Sequence, residues 1–183
     1  MKRSVIAATV LASLFMSAGS FAAEGSTEGQ LTINGRVTET TCQFLSDSKN
    51  TTISMSEIGR DQFENVEVGS PVTTYSNTTS LPLKVKCPGG KKPRITFSST
   101  QFEGTGSNVT RNTGDASGVG FAVFLGKDTD SSKRISGNSP IELTSVTNND
   151  EYELHFTAQY AKAADDVGTG KVSSAITMTV VTD

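Results

Sequence analysis

The 183-residue chain has no tryptophan, one histidine and two cysteines, and only 19% of its residues are charged. So few cysteines exclude a disulfide-dense miniprotein, and the composition is neither that of collagen nor that of a coiled coil. Lys and Arg number 16 against 19 Asp and Glu, a net charge of -3. No basic run is longer than the pair at 91–92, so a phosphate backbone finds no track and no nucleic acid partner is expected. No apolar run reaches the roughly 20 residues that cross a hydrocarbon core. A chain of this length buries about two-thirds of the surface its unfolded form exposes, so one domain can hold its core without metal or cofactor.

What the chain does have begins with an export signal. Lys2 and Arg3 precede an apolar stretch at 5–16, and Ser20-Phe21-Ala22 is a small-x-small cleavage site. Cleavage is expected after Ala22, which places the mature protein in an oxidising compartment. There Cys42 and Cys87, the only pair available, are expected to form one intrachain disulfide; two buried thiols are the alternative.

Period-2 alternation organises the remainder. Leu31, Ile33, Gly35 and Val37 share one face against Thr32, Asn34, Arg36 and Thr38 on the other, the pattern of a half-buried strand. Leu81, Leu83, Val85 and Cys87 repeat it around Pro82, a residue confined to strand starts and edges. Residues 94–97 form a short strand candidate. Val119, Phe121, Val123 and Leu125, with Ala122 and Phe124 opposite, predict a strand buried on both faces. Tyr152, Leu154, Phe156, Ala158 and Tyr160 predict another, with Glu153, His155, Thr157 and Gln159 on its polar face. Val172, Ile176, Met178 and Val180 predict the last, running almost to Asp183. Turn-formers fill the gaps, and with no sustained 3.6 period helix is limited to about a turn near 56–63. The expected fold is all-β, an immunoglobulin-like sandwich.

Two oddities bear on function. The alternation at 31–37 lies in an end segment rich in Gly, Ser, Thr and Glu, which is weakly held, and nothing after the last alternation supplies one more strand. A sandwich without its closing strand leaves an apolar groove and an unpaired edge, both seldom tolerated. The pattern leaves open which strand is missing.

No active site emerges. His155 lacks a nucleophile and an orienting group and reads as an exposed strand residue. Asp128-x-Asp130 begins like a calcium loop but has Lys133 and Ser139 where that loop needs Gly and Glu. Gly168-Thr169-Gly170 lacks the third glycine and helix of a dinucleotide site and reads as a hairpin turn. The Asp165-Asp166 pair has no histidine, metal motif or apolar pocket to shift its pKa. The triplets at Asn50, Asn77 and Asn108 are given no role.

The pieces together resemble a subunit of chaperone–usher fimbriae of the type 1 pilin class. The likeness rests on the signal peptide, on Gly29-Gln30-Leu31-Thr32-Ile33-Asn34-Gly35-Arg36-Val37 before Cys42, and on Leu83-x-Val85-x-Cys87. It also rests on Gly114-Asp115-Ala116-Ser117-Gly118-Val119-Gly120-Phe121, and on Phe156-x-Ala158-x-Tyr160 with Gly170-x-Val172. The resemblance implies an incomplete immunoglobulin-like β-sandwich, lacking its last strand and completed by a strand from a neighbouring subunit. It divides the chain into a signal peptide (1–22), a donor-strand extension (23–38) and a pilin domain (39–183).

The donor residues would be Leu31, Ile33, Gly35 and Val37, with Gly35 where no side chain fits. The acceptor groove and last strand would include Tyr160, Val172, Ile176, Met178 and Val180. Thr182 and Asp183 would face the chaperone, the family commonly having an aromatic residue where this chain has Thr182. The implied function is structural, head-to-tail polymerisation in a surface fimbria that supports adhesion, with no enzymatic activity and no cofactor. The implied partners are identical or related subunits, a periplasmic chaperone and an outer-membrane usher, on a route through the periplasm to the cell surface. A stand-alone secreted binding module would need an exposed aromatic cluster, and a secreted hydrolase a triad; neither is apparent.

Overall fold

The structure is a computed structural model, and it describes residues 42–182 except 80, 89–91, 105, 107, 138 and 145–149. These belong to one of the chain's two units, Thr38–Asp183. The signal peptide at 1–22 and the extension at 23–38 lie outside the described residues.

The architecture is all-β. In chain order the strands are β1 (Gln43–Phe44), β2 (Pro71–Thr78), β3 (Leu83–Lys86), β4 (Pro93–Phe97), β5 (Phe102–Glu103), β6 (Val109–Thr110), β7 (Val119–Leu125), β8 (Ile141–Glu142), β9 (Glu151–Leu154), β10 (Phe156–Lys162) and β11 (Met178–Thr182). They form sheets ordered β1-β3-β9, β2-β10-β7 and β11-β4-β8, with β5 and β6 a separate pair. Among the described residues helix is confined to single 3-10 turns, one at Arg60–Phe63 inside the expected stretch.

One bent antiparallel pair joins the first two sheets. β3 lies along β9 and β2 along β10, and the bend falls between Thr79 and Pro82 on one side and at His155 on the other. Thr79 bridges it: its N–H donates to the Phe156 carbonyl at 2.9 Å, and its hydroxyl accepts from Phe156 N–H at 3.3 Å. Pro82 can donate no ladder bond, so the strand restarts at Leu83. Leu81, expected to alternate inward with Leu83, falls in the break and is 71% exposed.

The central strand is β10, paired with β7 over the register Phe156↔Leu125 to Lys162↔Val119 and with β2 on its other side. One of its faces joins the main core with Leu83, Val85, Ile95, Ile135 and Phe156. The other carries a small cluster of Val109, Ala122, Phe124 and Ala161. Thr157 and Gln159, expected on a polar face, are therefore buried at 1% and 4% exposure. The Thr157 hydroxyl is satisfied by donating to the Gly126 carbonyl at 2.8 Å. β2 escaped the pattern reading because Thr, Ser, Tyr and Asn fill it almost throughout, and only Val72 is buried. Its Thr and Tyr content was the available signal.

The expected disulfide is formed: Cys42 and Cys87, both buried, bridge the start of β1 and the end of β3 across 45 residues of sequence. Beyond β10 the chain crosses to the other layer, because β10 pairs with β7 and β2 whereas β11 pairs with β4. The segment at 168–170 is consequently a crossover and not the expected hairpin turn. It is held by the glycine-rich run before β7: Gly168 N–H donates to Ser117 O at 3.0 Å, and Ala116 N–H to Lys171 O at 3.2 Å. Glycine is required for this approach. Gly118 has φ 66°, and a Cβ there would strike the Asp166 carbonyl, as a Cβ on Gly120 would strike that of Thr110.

Two outcomes follow from this packing. Reduction, or Cys42→Ala, should lower stability by about 4 kcal/mol, the chain-entropy value for a loop of this size, as measured by urea unfolding with and without reductant. Gly120→Ala should cost about 1–3 kcal/mol by overpacking against backbone that cannot give; a thermal melt matching the parent chain would refute this.

Candidate functional site

The last strand has one ladder partner. Met178 to Thr182 of β11 pair with Phe97 to Pro93 of β4, and β11 is the edge of its sheet among the described residues. An apolar groove begins at its first residue, Met178, and runs along the chain that leads into it. One hollow of about 310 Å³ has Ile53, Met55, Phe121, Phe156, Ile176 and Met178 among its walls. A second, of about 530 Å³, is lined by Met55, Ile58, Phe63, Tyr160, Val167 and Val172, with Glu57, Arg60 and Lys171 at its rim. Met55 lines both, so the two hollows lie end to end.

β7 and β10 supply the floor, through Phe121, Val123, Phe156 and Ala158 in the first hollow and Val119 and Tyr160 in the second. Phe121 and Tyr160 pack with ring centroids 5.1 Å apart. The walls are two extended lips. One is residues 51–58, with Ile53, Met55 and Ile58 half-buried between exposed neighbours. The other is residues 172–178, where Ile176 and Met178 pack on the main core. The lips run in opposite directions, since Ile53 shares a hollow with Ile176 whereas Ile58 shares the other with Val172.

Neither lip belongs to a strand ladder over 51–58 or 172–177 among the described residues. Side chains hold them instead. The Tyr75 hydroxyl accepts from Ser56 N–H at 3.2 Å, and the Tyr160 hydroxyl donates to the Ser56 carbonyl at 2.9 Å. Donation from Ser56 lowers the Tyr75 pKa, whereas burial, followed by Tyr75 and Glu57 nearby, raises that of Tyr160. On the other lip Gln101 accepts from Thr177 N–H at 2.7 Å, and Asn112 accepts from Ser173 N–H at 2.8 Å. The ladder of the last strand thus begins at Met178 and not at Val172, because loop side chains take up the preceding backbone.

Of the residues singled out in the sequence, Tyr160 and Val172 line the second hollow and Ile176 and Met178 the first. Val180 packs on the main core beside them, and Thr182 ends β11. Leu31, Ile33, Gly35, Val37 and Asp183 lie outside the described residues. The sequence reading missed the whole 51–58 lip, although Ile53 and Met55 alternate with Ser54 and Ser56; two apolar residues are too few for the pattern to register.

The polar residues weighed for chemistry stand apart from the groove. Asp128 pairs with Lys133 at 3.1 Å in an exposed turn, and among the described residues no cluster of three or more potential metal ligands occurs. His155, expected to be exposed, is half-buried in the break between β9 and β10. Burial, then Lys127, depresses its pKa, with Glu153 opposing.

The molecule is thus a disulfide-tied β-sandwich with an apolar groove between two lips, the second leading into its last strand. The chain belongs to the Fimbrial protein family, whose sequence profile matches residues 31–182. It is 34% identical over its whole length to the uncharacterized fimbrial-like protein YehD of Escherichia coli K12, which it also covers completely. It is 24% identical to long polar fimbria protein A of Salmonella typhimurium, over 93% of this chain and 90% of that one. Among solved structures, the P pilus rod subunit PapA is a loose likeness, with 13% identity and a TM-score of 0.45 over 85% of this chain and 100% of that one. The protein is a structural subunit of fimbriae and not an enzyme, and its place is in the fimbriae at the cell surface, assembled with other pilin subunits.

A histidine with a depressed pKa stays neutral in the folded chain at a pH where the unfolded chain takes up a proton. Its folded state is therefore fully stable above the unfolded pKa and loses stability as pH falls through the folded one. Urea unfolding at pH 5 and pH 7 should show that loss, and His155→Gln should flatten it while leaving assembly intact.

Proposed function

We propose that the groove beside β11 accepts residues 23–38 of a neighbouring subunit, so that the chain polymerises by donor-strand exchange. The observation that carries this is the apolar groove between the 51–58 and 172–178 lips, neither of which is in a strand ladder over 51–58 or 172–177 among the described residues, in a chain that also carries the alternation Leu31, Ile33, Gly35, Val37. In a completed immunoglobulin-like sheet the added strand runs antiparallel to the chain's last strand, here the 172–178 lip, and so parallel to the 51–58 lip. That direction sets Leu31 and Ile33 over the first hollow, Gly35 near Met55 where the two hollows meet, and Val37 over the second. Each buried aliphatic side chain contributes about 1.5–3 kcal/mol, and a backbone ladder adds to it. Because the contact is head-to-tail and does not close on itself, it builds a filament.

The same groove is the place for a periplasmic chaperone strand before assembly, since an open apolar groove on an unassembled subunit invites aggregation. Thr182 and Asp183 end the strand along which it would lie. Delivery to an outer-membrane usher and display on the surface, in support of adhesion, complete the reading.

Deleting residues 23–37 should leave a subunit that folds with its chaperone and forms no filaments by electron microscopy. Fusing residues 23–38 after Asp183 through a flexible linker should give a soluble monomer by gel filtration. Filaments from the deletion variant together with aggregation of the fusion would instead favour a stand-alone secreted β-sandwich module.

A further inference from the structure

In an extended chain the N–H and C=O of one residue point to the same side, and those of the next residue to the opposite side. On the 51–58 lip, the Ser54 carbonyl accepts from Asn77 Nδ2 at 2.6 Å, and both backbone groups of Ser56 are bonded to tyrosine hydroxyls, of Tyr75 and Tyr160. Ser54 and Ser56 therefore turn their backbone toward β2 and β10, which leaves Ile53, Met55 and Glu57 turned toward the groove. On the facing lip, Ser173 accepts from Thr113 N–H at 2.7 Å and donates to Asn112 Oδ1 at 2.8 Å, while Thr177 N–H donates to Gln101 Oε1 at 2.7 Å. There Ser174 and Ile176 are the ones turned toward the groove. Over 53–56 and 176–177 side chains follow the same alternation: Ile53, Met55 and Ile176 are half-buried, and Ser54, Ser56 and Thr177 are exposed, while Glu57 is exposed and Ser173 half-buried. At Ile53, Met55 and Ile176, the apolar residues that face inward are also the ones whose backbone groups face the groove, whereas Ile58, in step with Ser54 and Ser56, departs from this.

We infer that Tyr75, Tyr160 and Asn77 on one lip, and Gln101 and Asn112 on the other, are positioning residues that set the register in which an entering strand pairs. This rests on the strand-entry reading above and adds to it which backbone groups are offered. Residues directly opposite in a ladder share a face, so an entering residue paired with Ile176 points inward. A slip by one residue turns every side chain of the entering strand over, and the backbone groups that the pins hold, turned away from the groove, cannot pair with it to rescue the slipped register. The same pins keep each lip extended before any strand arrives, at positions where a ladder would otherwise be needed.

Residue-resolved, quenched amide exchange on the unassembled full chain and on its filaments tests this. On assembly, the Met55 and Ile176 amides should slow by about a hundredfold or more, as amides joining a stable ladder do. Those of Ser56 and Thr177, already bonded to side chains, should change little. Gln101→Leu should blur this alternation and slow assembly about tenfold, the equivalent of one lost hydrogen bond of roughly 1.4 kcal/mol. Gln101→Glu, which keeps an acceptor for Thr177 N–H, should preserve the alternation. Protection appearing at Ser56 and Thr177 in place of Met55 and Ile176 would overturn the inference, as would an unchanged pattern and rate in Gln101→Leu. If Gln101→Leu does not fold, the parent chain and Gln101→Glu still decide the alternation. No gain of protection on either lip would instead remove the strand-entry reading itself, and the register with it.

Discussion

A backbone polar group shut away from water needs a partner, and the edge of β11 is where this fold meets that constraint. Among the described residues the strand is paired with β4 alone, and an apolar groove begins at its first residue, Met178. An apolar floor beside an unfinished edge is an unusual surface for a soluble protein. The chain meets the demand in part with side chains: tyrosine hydroxyls and carboxamides bond the outward-facing backbone groups of the two lips. What they leave is the apolar groove between the two lips.

The rest of the sandwich holds that slot in shape. Its floor is the β7–β10 pairing, whose register runs without a break from Phe156↔Leu125 to Lys162↔Val119. β10 is buried on both faces, so it cannot shift without disturbing two core clusters. The Cys42–Cys87 bridge fixes the start of β1 to the end of β3, and the glycine-rich run at 114–120 clamps the crossover that leads into the second lip. The cross-strand pairs Lys84–Glu153 and Lys86–Glu151, at 3.3 and 3.9 Å, lie on an exposed face and contribute little.

Strands with strong apolar alternation were legible in the sequence. Val119 to Leu125, Tyr152 to Tyr160 and the end of the chain around Met178 and Val180 carry their burial on their face, and the structure places them in strands. Strands defined by pairing more than by burial were not. β2 is polar almost throughout and is recruited by β10, and β1, β5, β6 and β8 are two residues each, too short for any period to show. Thr157 and Gln159 were misplaced for a related reason: a polar residue in a central strand is buried by what packs over it, which its own alternation does not reveal. The groove was half legible. Tyr160, Val172, Ile176 and Met178 stood out as apolar residues of the late strands, whereas Ile53 and Met55 became groove residues only once the chain brought 51–58 opposite 172–178.

The sequence alone determined the all-β class, the pairing of its two cysteines and the absence of a catalytic motif, because these depend on local alternation, on counting and on residue type. Tertiary structure decided that β10 is central, that β11 is the edge of its sheet among the described residues, and that side chains from β2, β10, the turn at 101 and the loop at 112 hold the lips that lead up to it. Those facts are set by contacts between segments far apart in the chain, such as Tyr160 with Ser56 at a separation of 104. No short-range pattern encodes which of two alternating strands will end at an edge, since the backbone groups left unpaired there are the same in every residue.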